Sequence, residues 1–360
     1  MKRICLLILM ILLCGCSAGQ QVSTEPSAPT VVTQEPWDAD GVLTELVLSI
    51  PGGNSYTDCL GFRDYILLWS TDGHREGRQE LDLCLIDPAQ KTMAASLKVV
   101  MPNPVTPQVY GNALYLCDPK TGTVVELDRN LQITGEWTVP AAEDEEAVWY
   151  AANRKLWEFA PGKPLRCLFL GDVYWTEETA GWTVVRRPGG TVIGHQGNGR
   201  FVGYTANVGN QVKCYSLDLS DGTILAPPEG YDTYTRTGNV WLGSRFEDGH
   251  HYGISVGGGA MRSVTPIDGT LSLLQEGYLL EKSPHDQFLR LYDREGRCIS
   301  VCQVWETQDG HVERMIWNNA LGGYLIHYHP QSGGSRLLFW DIGKGTGIGV
   351  DIQVQSIQGQ

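Results

Sequence analysis

The stretch NALYLCDPKTGTVVELD, residues 112–128, decides the fold that we predict for this chain. Two short apolar runs, 113–117 and 123–127, have the β-branched and aromatic composition of strands. Between them, the carboxylate of Asp118 can accept a backbone N–H two residues further on, and Gly122 supplies a position with positive φ. The stretch therefore predicts a β-hairpin whose turn is specified by its own residues.

The same phrase, an apolar strand ending in Asp, a turn and a second strand, recurs along the chain. The 43 glycines and 18 prolines, with few segments of helical period, indicate an all-β protein. Even 143–159, which is rich in helix formers, is interpreted as a loop and two strands that turn at Asn153-Arg154. Comparable aspartates stand at 87, 128, 218, 268 and 341, and shorter units surround Asp172 and Asp293.

One part of this phrase, LYLCDPKTGTVVEL at 114–127, resembles the strand-turn-strand repeat of quinoprotein-like and WD40-like β-propellers. The resemblance implies one β-propeller over residues 37–360, with about seven four-stranded blades in a range of about six to eight. An array of two-sheet sandwiches is the alternative, but a single period that returns without linkers favours the propeller. We expect the strand at 43–50 to pair with the last blade near 349–357, which removes exposed sheet edges.

The first sixteen residues are typical of an exported protein. Two cations at 2–3 precede an apolar run at 4–14, which is too short to cross a hydrocarbon core of about 30 Å. Leu13-Cys14-Gly15-Cys16 resembles the lipobox of bacterial lipoproteins, in which the last cysteine is acylated and becomes the new N-terminus. The resemblance implies a signal peptide at 1–15 and a lipid anchor of palmitate type on Cys16. An ordinary signal peptide that is cleaved nearby is the alternative.

A polar segment separates this anchor from the rest of the chain. Residues 16–36 are rich in Ser, Thr, Gln and Pro and cannot form a core, so we predict a disordered tether. Extended, such a segment spans up to about 60 Å. The expected organisation is therefore a signal peptide (1–15), a lipidated tether (16–36) and a propeller domain (37–360) outside the cytoplasm.

The charge and the cysteines narrow the classes of function. A net charge of −14 disfavours binding to nucleic acid, and removal of Lys2 and Arg3 with the signal peptide makes the chain more acidic. Seven cysteines follow Cys16, mostly within strand-like runs. An odd number placed in this way predicts buried thiols rather than a disulfide framework.

Several linear motifs suggest catalysis but lack the structural context that it requires. The G-x-S-x-G pattern at 253–257 would need a helix after the serine, with Asp286 and His327 as partners, yet a glycine-rich turn and another strand are predicted there. Glycine clusters at 197–199 and 343–349 resemble phosphate loops without the helix that would hold the phosphate. We predict no catalytic residue from these motifs.

The histidines and acidic residues do not form a recognisable metal-binding motif. His327 and His329 lie two apart on a predicted strand, so their rings share one face, but no carboxylate or cysteine stands at a matching spacing. The pair at 250–251 has the same deficiency, and a partial calcium-loop pattern at 218–229 has its glycine at the wrong position. We therefore expect no metal and no cofactor.

These features favour a binding protein over an enzyme. We predict a membrane-anchored lipoprotein whose propeller holds a protein or glycan partner on its loop-built face without catalysis, an inference made by analogy with other propellers. The alternative is a cell-surface glycan hydrolase or lyase with two carboxylates about 5–10 Å apart at the central channel. Most of the eleven tryptophans are expected to fill spaces between blades.

Overall fold

β-Strands and one short 3-10 turn, Gln275–Gly277, make up the secondary structure that a computed structural model describes for this chain. No helix within the described ranges has the length and apolar character of a membrane span. The structure describes residues 48–51, 58–75, 78–90, 92–186, 193–197, 200–227, 229–231, 233–245, 251–266, 269–282, 288–303, 310–318, 321–330, 336–341 and 349–357.

The strands form seven antiparallel sheets, the blades, and each blade is built from consecutive segments of the chain. After β1 (Leu48–Pro51), blade 1 has β2 (Asp58–Phe62), β3 (Tyr65–Arg75), β4 (Arg78–Asp87) and β5 (Thr92–Met101). Blade 2 has β6 (Gln108–Tyr110), β7 (Ala113–Asp118), β8 (Thr123–Leu127) and β9 (Ile133–Thr138). Blade 3 has β10 (Val148–Ala152), β11 (Lys155–Phe159), β12 (Arg166–Phe169) and β13 (Thr176–Glu177).

Blade 4 has β14 (Trp182–Val185), β15 (Ile193–Gly197), β16 (Phe201–Val208), β17 (Gln211–Asp218) and β18 (Ile224–Leu225). Because β14 and β15 pair with successive parts of β16, they act together as one interrupted first strand. Blade 5 has β19 (Thr233–Thr237), β20 (Val240–Arg245), β21 (His251–Val256) and β22 (Arg262–Val264). Blade 6 has β23 (Thr270–Leu273), β24 (Leu279–Lys282), β25 (Phe288–Tyr292) and β26 (Cys298–Gln303). Blade 7 has β27 (Gly310–Asn318), β28 (Gly323–Pro330), β29 (Arg336–Asp341) and β30 (Gly349–Ile357).

The ring closes where the two ends of the described chain meet. β1 runs parallel to β30, with Leu48 opposite Val354 and Ile50 opposite Ser356, and adds a fifth strand to blade 7. The predicted pairing of the N-terminal strand with the last blade is confirmed, as is the seven-bladed all-β propeller. β1 is described only from residue 48.

The first strand of each blade lies on the inside of the ring. First strands of neighbouring blades contact each other, as β2 does with β6 and β27, and β19 does with β15 and β23. The turns between first and second strands and between third and fourth strands therefore share one end of the ring, which we call pole A. The turns between second and third strands lie at the opposite end, pole B.

Apolar residues of adjacent blades pack together and form the core. Between blades 7 and 1, for example, Ile66 and Leu68 join Ile316, Leu325 and Phe339. Of the nine tryptophans whose side chains are described, four are buried and five are half-buried, which agrees with the expectation that they fill space between blades. The buried four are Trp69, Trp149, Trp157 and Trp340.

The predicted turn chemistry is confirmed in five turns. Each of five aspartates accepts the backbone N–H two residues further along, at 2.8–3.0 Å. These aspartates are Asp87, Asp118, Asp128, Asp218 and Asp293. Blade 5 departs from the pattern, because Gly257 and Gly258 occupy its third turn, and Asp268 lies outside the described residues.

The helix-like stretch 143–159 contains the two predicted strands, β10 and β11. Asn153 and Arg154 join them with φ values of 49° and 60°. Positive φ at both central residues is the signature of the tight hairpin turn whose twist matches that of the strands. The turn at Asn153-Arg154 is therefore confirmed.

Gly122 offers a test of the turn in blade 2. Its φ is +78°, and a Cβ atom there would lie 2.0 Å from the carbonyl oxygen of Val139. Gly162 has a similar φ of +72° but no atom within 4 Å of such a Cβ. We expect Gly122→Ala to lower the stability by about 2–4 kcal/mol and Gly162→Ala by only about 1 kcal/mol, because only the first adds a backbone clash to the strain of positive φ. Urea denaturation followed by circular dichroism measures both, and equal losses would contradict this account.

Candidate functional site

An exposed apolar surface lies at pole A of blade 3. Phe169, Val173 and Tyr174, in and after β12, have exposed fractions of 52%, 60% and 82%. We call these three residues the blade-3 patch. Large apolar side chains grouped in this way on a surface mark an interaction site more often than isolated ones do.

Backbone hydrogen bonds hold the segment that carries the patch. The N–H of Leu170 donates to the carbonyl oxygen of Arg154 at 2.7 Å, and the N–H of Asp172 donates to that of Phe169 at 2.9 Å. The ammonium group of Lys155 lies 5.6 Å from the centre of the Phe169 ring, within the range of a cation–π contact. The patch is therefore docked against the first turn of its own blade.

A buried polar network supports the patch from below. Glu158, only 1% exposed, accepts hydrogen bonds from the Trp149 indole at 3.0 Å and from Nε of Arg166 at 2.8 Å. The guanidinium of Arg166 lies 5.2 Å from the ring centre of Trp175, which packs 5.5 Å from Trp149. Because Trp175 directly follows Tyr174, this network fixes one end of the patch.

A cavity of about 360 Å³ opens beside the patch, between blades 2 and 3. On the wall of the cavity, the amide of Asn153 donates a hydrogen bond to the Tyr110 hydroxyl at 3.1 Å. Asn153 precedes Arg154, on which the patch segment is docked, so the cavity and the patch adjoin at one turn. The polar lining includes Tyr110, Asn112, Tyr115, Glu126, Asp128 and Asn153.

The two carboxylates of this cavity accept hydrogen bonds from groups of their own blade. Oε1 of Glu126 accepts from the Thr134 hydroxyl at 3.1 Å. Oδ1 of Asp128 accepts two backbone N–H groups of its own turn at 2.8 and 2.9 Å. Burial and the neighbouring Glu126 raise the pKa of Tyr115, which stays a protonated phenol. The cavity thus offers hydrogen-bonding groups suited to a polar ligand.

The G-x-S-x-G pattern does not form a nucleophile elbow, in agreement with the prediction from sequence. Ser255 lies within β21, is 4% exposed, and its hydroxyl donates to the carbonyl oxygen of Gly259 at 2.6 Å. A glycine turn and then β22 follow, where the elbow would require a helix. Asp286 lies outside the described residues.

The described residues of the phosphate-loop and calcium-loop patterns are likewise parts of strands and turns. Gly197 ends β15 and Gly349 begins β30, so strands follow both glycine clusters. Burial works against the charge of Asp218, but hydrogen bonds from Arg200 and Ser220 outweigh it and hold its pKa below the usual value. This carboxylate fixes a turn in blade 4.

His327 lies in a setting that the sequence analysis missed. It is buried on β28, and its Nδ1 stands 3.4 Å from Oδ1 of Asp58, beside Cys59. His329, two residues further along the strand, has a side chain that lies outside the described residues. An Asp-Cys pair at the start of β2 gives no local signal of a distant histidine, because only ring closure brings blade 7 onto blade 1.

The described side chains of the inner strands include a single carboxylate. Two acidic residues lie on these strands, Asp58 on β2 and Glu313 on β27, and the side chain of Glu313 lies outside the described residues. The glycan-active alternative needs two carboxylates at the channel. The carboxylate pair of this alternative therefore stays a prediction.

The described thiols are buried or half-buried within strands. Cys117, Cys167, Cys214 and Cys298 are free cysteines. Burial raises the pKa of the Cys167 thiol to about 11 and that of Cys117 further still. Cys117 and Cys167 therefore stay protonated at neutral pH and serve as small apolar side chains.

Comparison with known proteins shows the fold. No protein-family model matches the chain, and no curated protein matches it in sequence. An acylaminoacyl peptidase from Pyrococcus horikoshii is similar in structure with a TM-score of 0.52 and 11% identity, over 86% of this chain and 54% of that one. Raptor from Chaetomium thermophilum gives 0.51 and 7%, over 82% and 29%. The β-propeller domain of Cps50 (Swd1) from Myceliophteria thermophila gives 0.48 and 12%, over 81% and 98%. At these identities the likeness extends to the β-propeller fold alone.

Proposed function

We propose that this chain is a bacterial lipoprotein, anchored to a membrane outside the cytoplasm through Cys16, whose propeller binds a protein partner without catalysis. The blade-3 patch is the observation that carries the binding role. The lipobox-like residues 13–16 support the anchor, and the polar segment that follows them supports a tether.

The patch has the properties of a contact surface for protein. Tyr and Phe bury a large area with few rotatable bonds, and tyrosine is enriched among residues that dominate binding energy. Phe169, Val173 and Tyr174 are exposed, while the hydrogen bonds of Leu170 and Glu158 hold the segment around them. A surface ordered before binding loses less entropy when a partner docks.

The adjoining cavity favours binding of a ligand without catalysis. Tyr110, Asn112 and Asn153 present hydrogen-bonding groups of the kind that sugars and peptide termini use. Glu126 and Asp128 are held by hydrogen bonds within their own blade, which argues against the acid and base roles of a glycan hydrolase. A glycan or a peptide segment of the partner is therefore the second element that this surface fits.

The patch can be tested by its effect on partner binding. The double variant Val173→Ser/Tyr174→Ser replaces two exposed apolar side chains, so the free energy of unfolding should change by only about 0.5 kcal/mol. We expect at least about tenfold weaker retention of a specific membrane or envelope protein, because aromatic anchors contribute about 2 kcal/mol or more to an interface. Proteins are cross-linked in the producing cells and purified with this chain. Mass spectrometry with isotope labels then compares the amount of each partner that is retained by the wild-type chain and by the variant.

Val212→Ser is the matched control. Val212 is 63% exposed but lies at the start of β17, at pole B of blade 4. This variant should keep the full set of partners. Identical partner profiles for the wild-type chain and the patch variant, or an equal loss in Val212→Ser, would refute binding through the patch.

The anchor can be tested separately. We expect Cys16→Ser to lose incorporation of an alkynyl palmitate and to keep residues 1–15, because acylation of that cysteine precedes cleavage in the lipoproteins that the motif resembles. Cys14→Ser is the control, and it should be labelled and cleaved normally, since it leaves the acceptor thiol in place. Gel fluorescence and intact mass measure both properties. Lipid label that persists on Cys16→Ser would contradict the anchor.

A further inference from the structure

We propose that Asp58, Cys59 and His327 form a zinc site at the interface between blades 7 and 1. The nitrogen, sulfur and oxygen atoms that these residues can offer to a metal all lie within 4.8 Å of one another. Two of the residues come from the first strand of blade 1, and the third comes from the second strand of blade 7. The site therefore joins the first and the last blade of the ring.

The donor set matches zinc among the divalent cations. A thiolate, an imidazole and a carboxylate are its common protein ligands, whereas calcium and magnesium take oxygen ligands. With Cys59 as thiolate, Asp58 as carboxylate and His327 neutral, the ligand charges balance Zn²⁺. A buried site without net charge avoids most of the penalty of placing ions in an apolar interface.

The spacing of one pair of ligand atoms is compatible with a shared zinc ion. Nδ1 of His327 lies 3.4 Å from Oδ1 of Asp58. A charge-assisted hydrogen bond between them would be about 2.7–2.9 Å long. Two ligand atoms at about 2.0–2.1 Å from a tetrahedral zinc ion are about 3.3–3.4 Å apart. The separation of Nδ1 and Oδ1 is compatible with this value, and the Cys59 sulfur lies within 4.8 Å of both residues' ligand atoms.

The surroundings fix the ligands and limit access to water. Cys59 is 0% exposed and His327 is 2% exposed. The backbone N–H of Cys59 donates to Oδ1 of Asp58 at 2.8 Å, which orients the carboxylate as outer partners do around known metal ligands. Such a buried thiol is out of reach of a substrate, so the arrangement points to a structural rather than a catalytic metal.

A further buried polar group lies on the same face of blade 1. Ser70 is 3% exposed, and its hydroxyl has no hydrogen-bond partner within the described part of the chain. It stands two residues beyond Leu68, the strand partner of Cys59, so its side chain shares the face that carries the thiol. A polar group there suits a water molecule as the fourth ligand.

Bound zinc would act as a cross-link across the closure of the ring. A metal that binds the folded chain and not the unfolded chain stabilises it by mass action. The ligands come from the two ends of the described chain, so the ion would tie blade 7 to blade 1 where the ring would otherwise open. Zinc removal should therefore loosen this interface before the other six.

The test uses the full-length chain in detergent without a histidine tag. After chelator treatment and dialysis against ZnCl₂, we expect one zinc ion per chain by mass spectrometry and an unfolding temperature raised by a few degrees. Replacement by Co²⁺ should give the near-ultraviolet charge-transfer absorption of a cobalt–thiolate bond. Absence of bound zinc from the folded wild-type chain would overturn the proposal.

Variants locate the site. Cys59→Ser and His327→Gln should each weaken zinc binding at least about tenfold, and Cys59→Ser should abolish the cobalt–thiolate band. Cys117→Ser removes a buried thiol in blade 2 and should retain both. Asp58→Asn, with a partly exposed side chain, tests the site if the buried variants fail to fold, and it should also weaken zinc binding. Unchanged binding in Cys59→Ser or Asp58→Asn would place the metal elsewhere and refute the assignment.

Discussion

The packing of blade 7 against blade 1 is the interaction on which the remaining structure depends. Each blade covers its apolar faces with its two neighbours, so an open ring would leave one face of two blades exposed to water. At the closure, Leu68 packs with Leu325 and Phe339, and the Asn318 amide donates to the backbone of Asp64 at 3.0 Å. The parallel pairing of β1 with β30 adds hydrogen bonds at the outer edge. Formation of this interface covers the last two exposed blade faces and completes the ring.

Two buried glutamates are each paired with an arginine on the neighbouring strand. Glu158 on β11 faces Arg166 on β12, and Glu281 on β24 faces Arg290 on β25, so blades 3 and 6 repeat one arrangement. An unpaired carboxylate at such depth would be strongly destabilising, whereas a paired and hydrogen-bonded one is tolerated. In blade 3 the arrangement also holds Trp175 next to the exposed patch. Core packing and the proposed binding surface are thus parts of one network.

Sites in this fold are assembled from several blades, which is why linear motifs misrepresent them. Ser255 stands in a motif typical of hydrolases, yet its hydroxyl is used within a blade-5 turn. No residue at a recognisable sequence spacing marks His327 as a ligand, yet Asp58 and Cys59 lie beside it at the interface between blades 7 and 1. The cavity at pole A draws its lining from blades 2 and 3 in the same way. Chemical function in such a ring follows spatial neighbours rather than sequence neighbours.

Short-range patterns in the sequence determined the strands, the aspartate and glycine turns, the all-β class, the seven blades and the strand that closes the ring. The strands and turns depend on residues within a hairpin, as Asp118 and Gly122 show, so a local pattern is sufficient to predict them. The blade number and the closing strand were predicted from the return of that pattern along the chain and from the need to cover sheet edges. The lipidated Cys16 remains a prediction from sequence. Only the tertiary structure decided that Tyr174 is exposed while Trp149 is buried, and that His327 lies beside Asp58. An aromatic residue in a strand has the same local signature in either environment, and its burial is set by the neighbouring blade that the closed ring places against it.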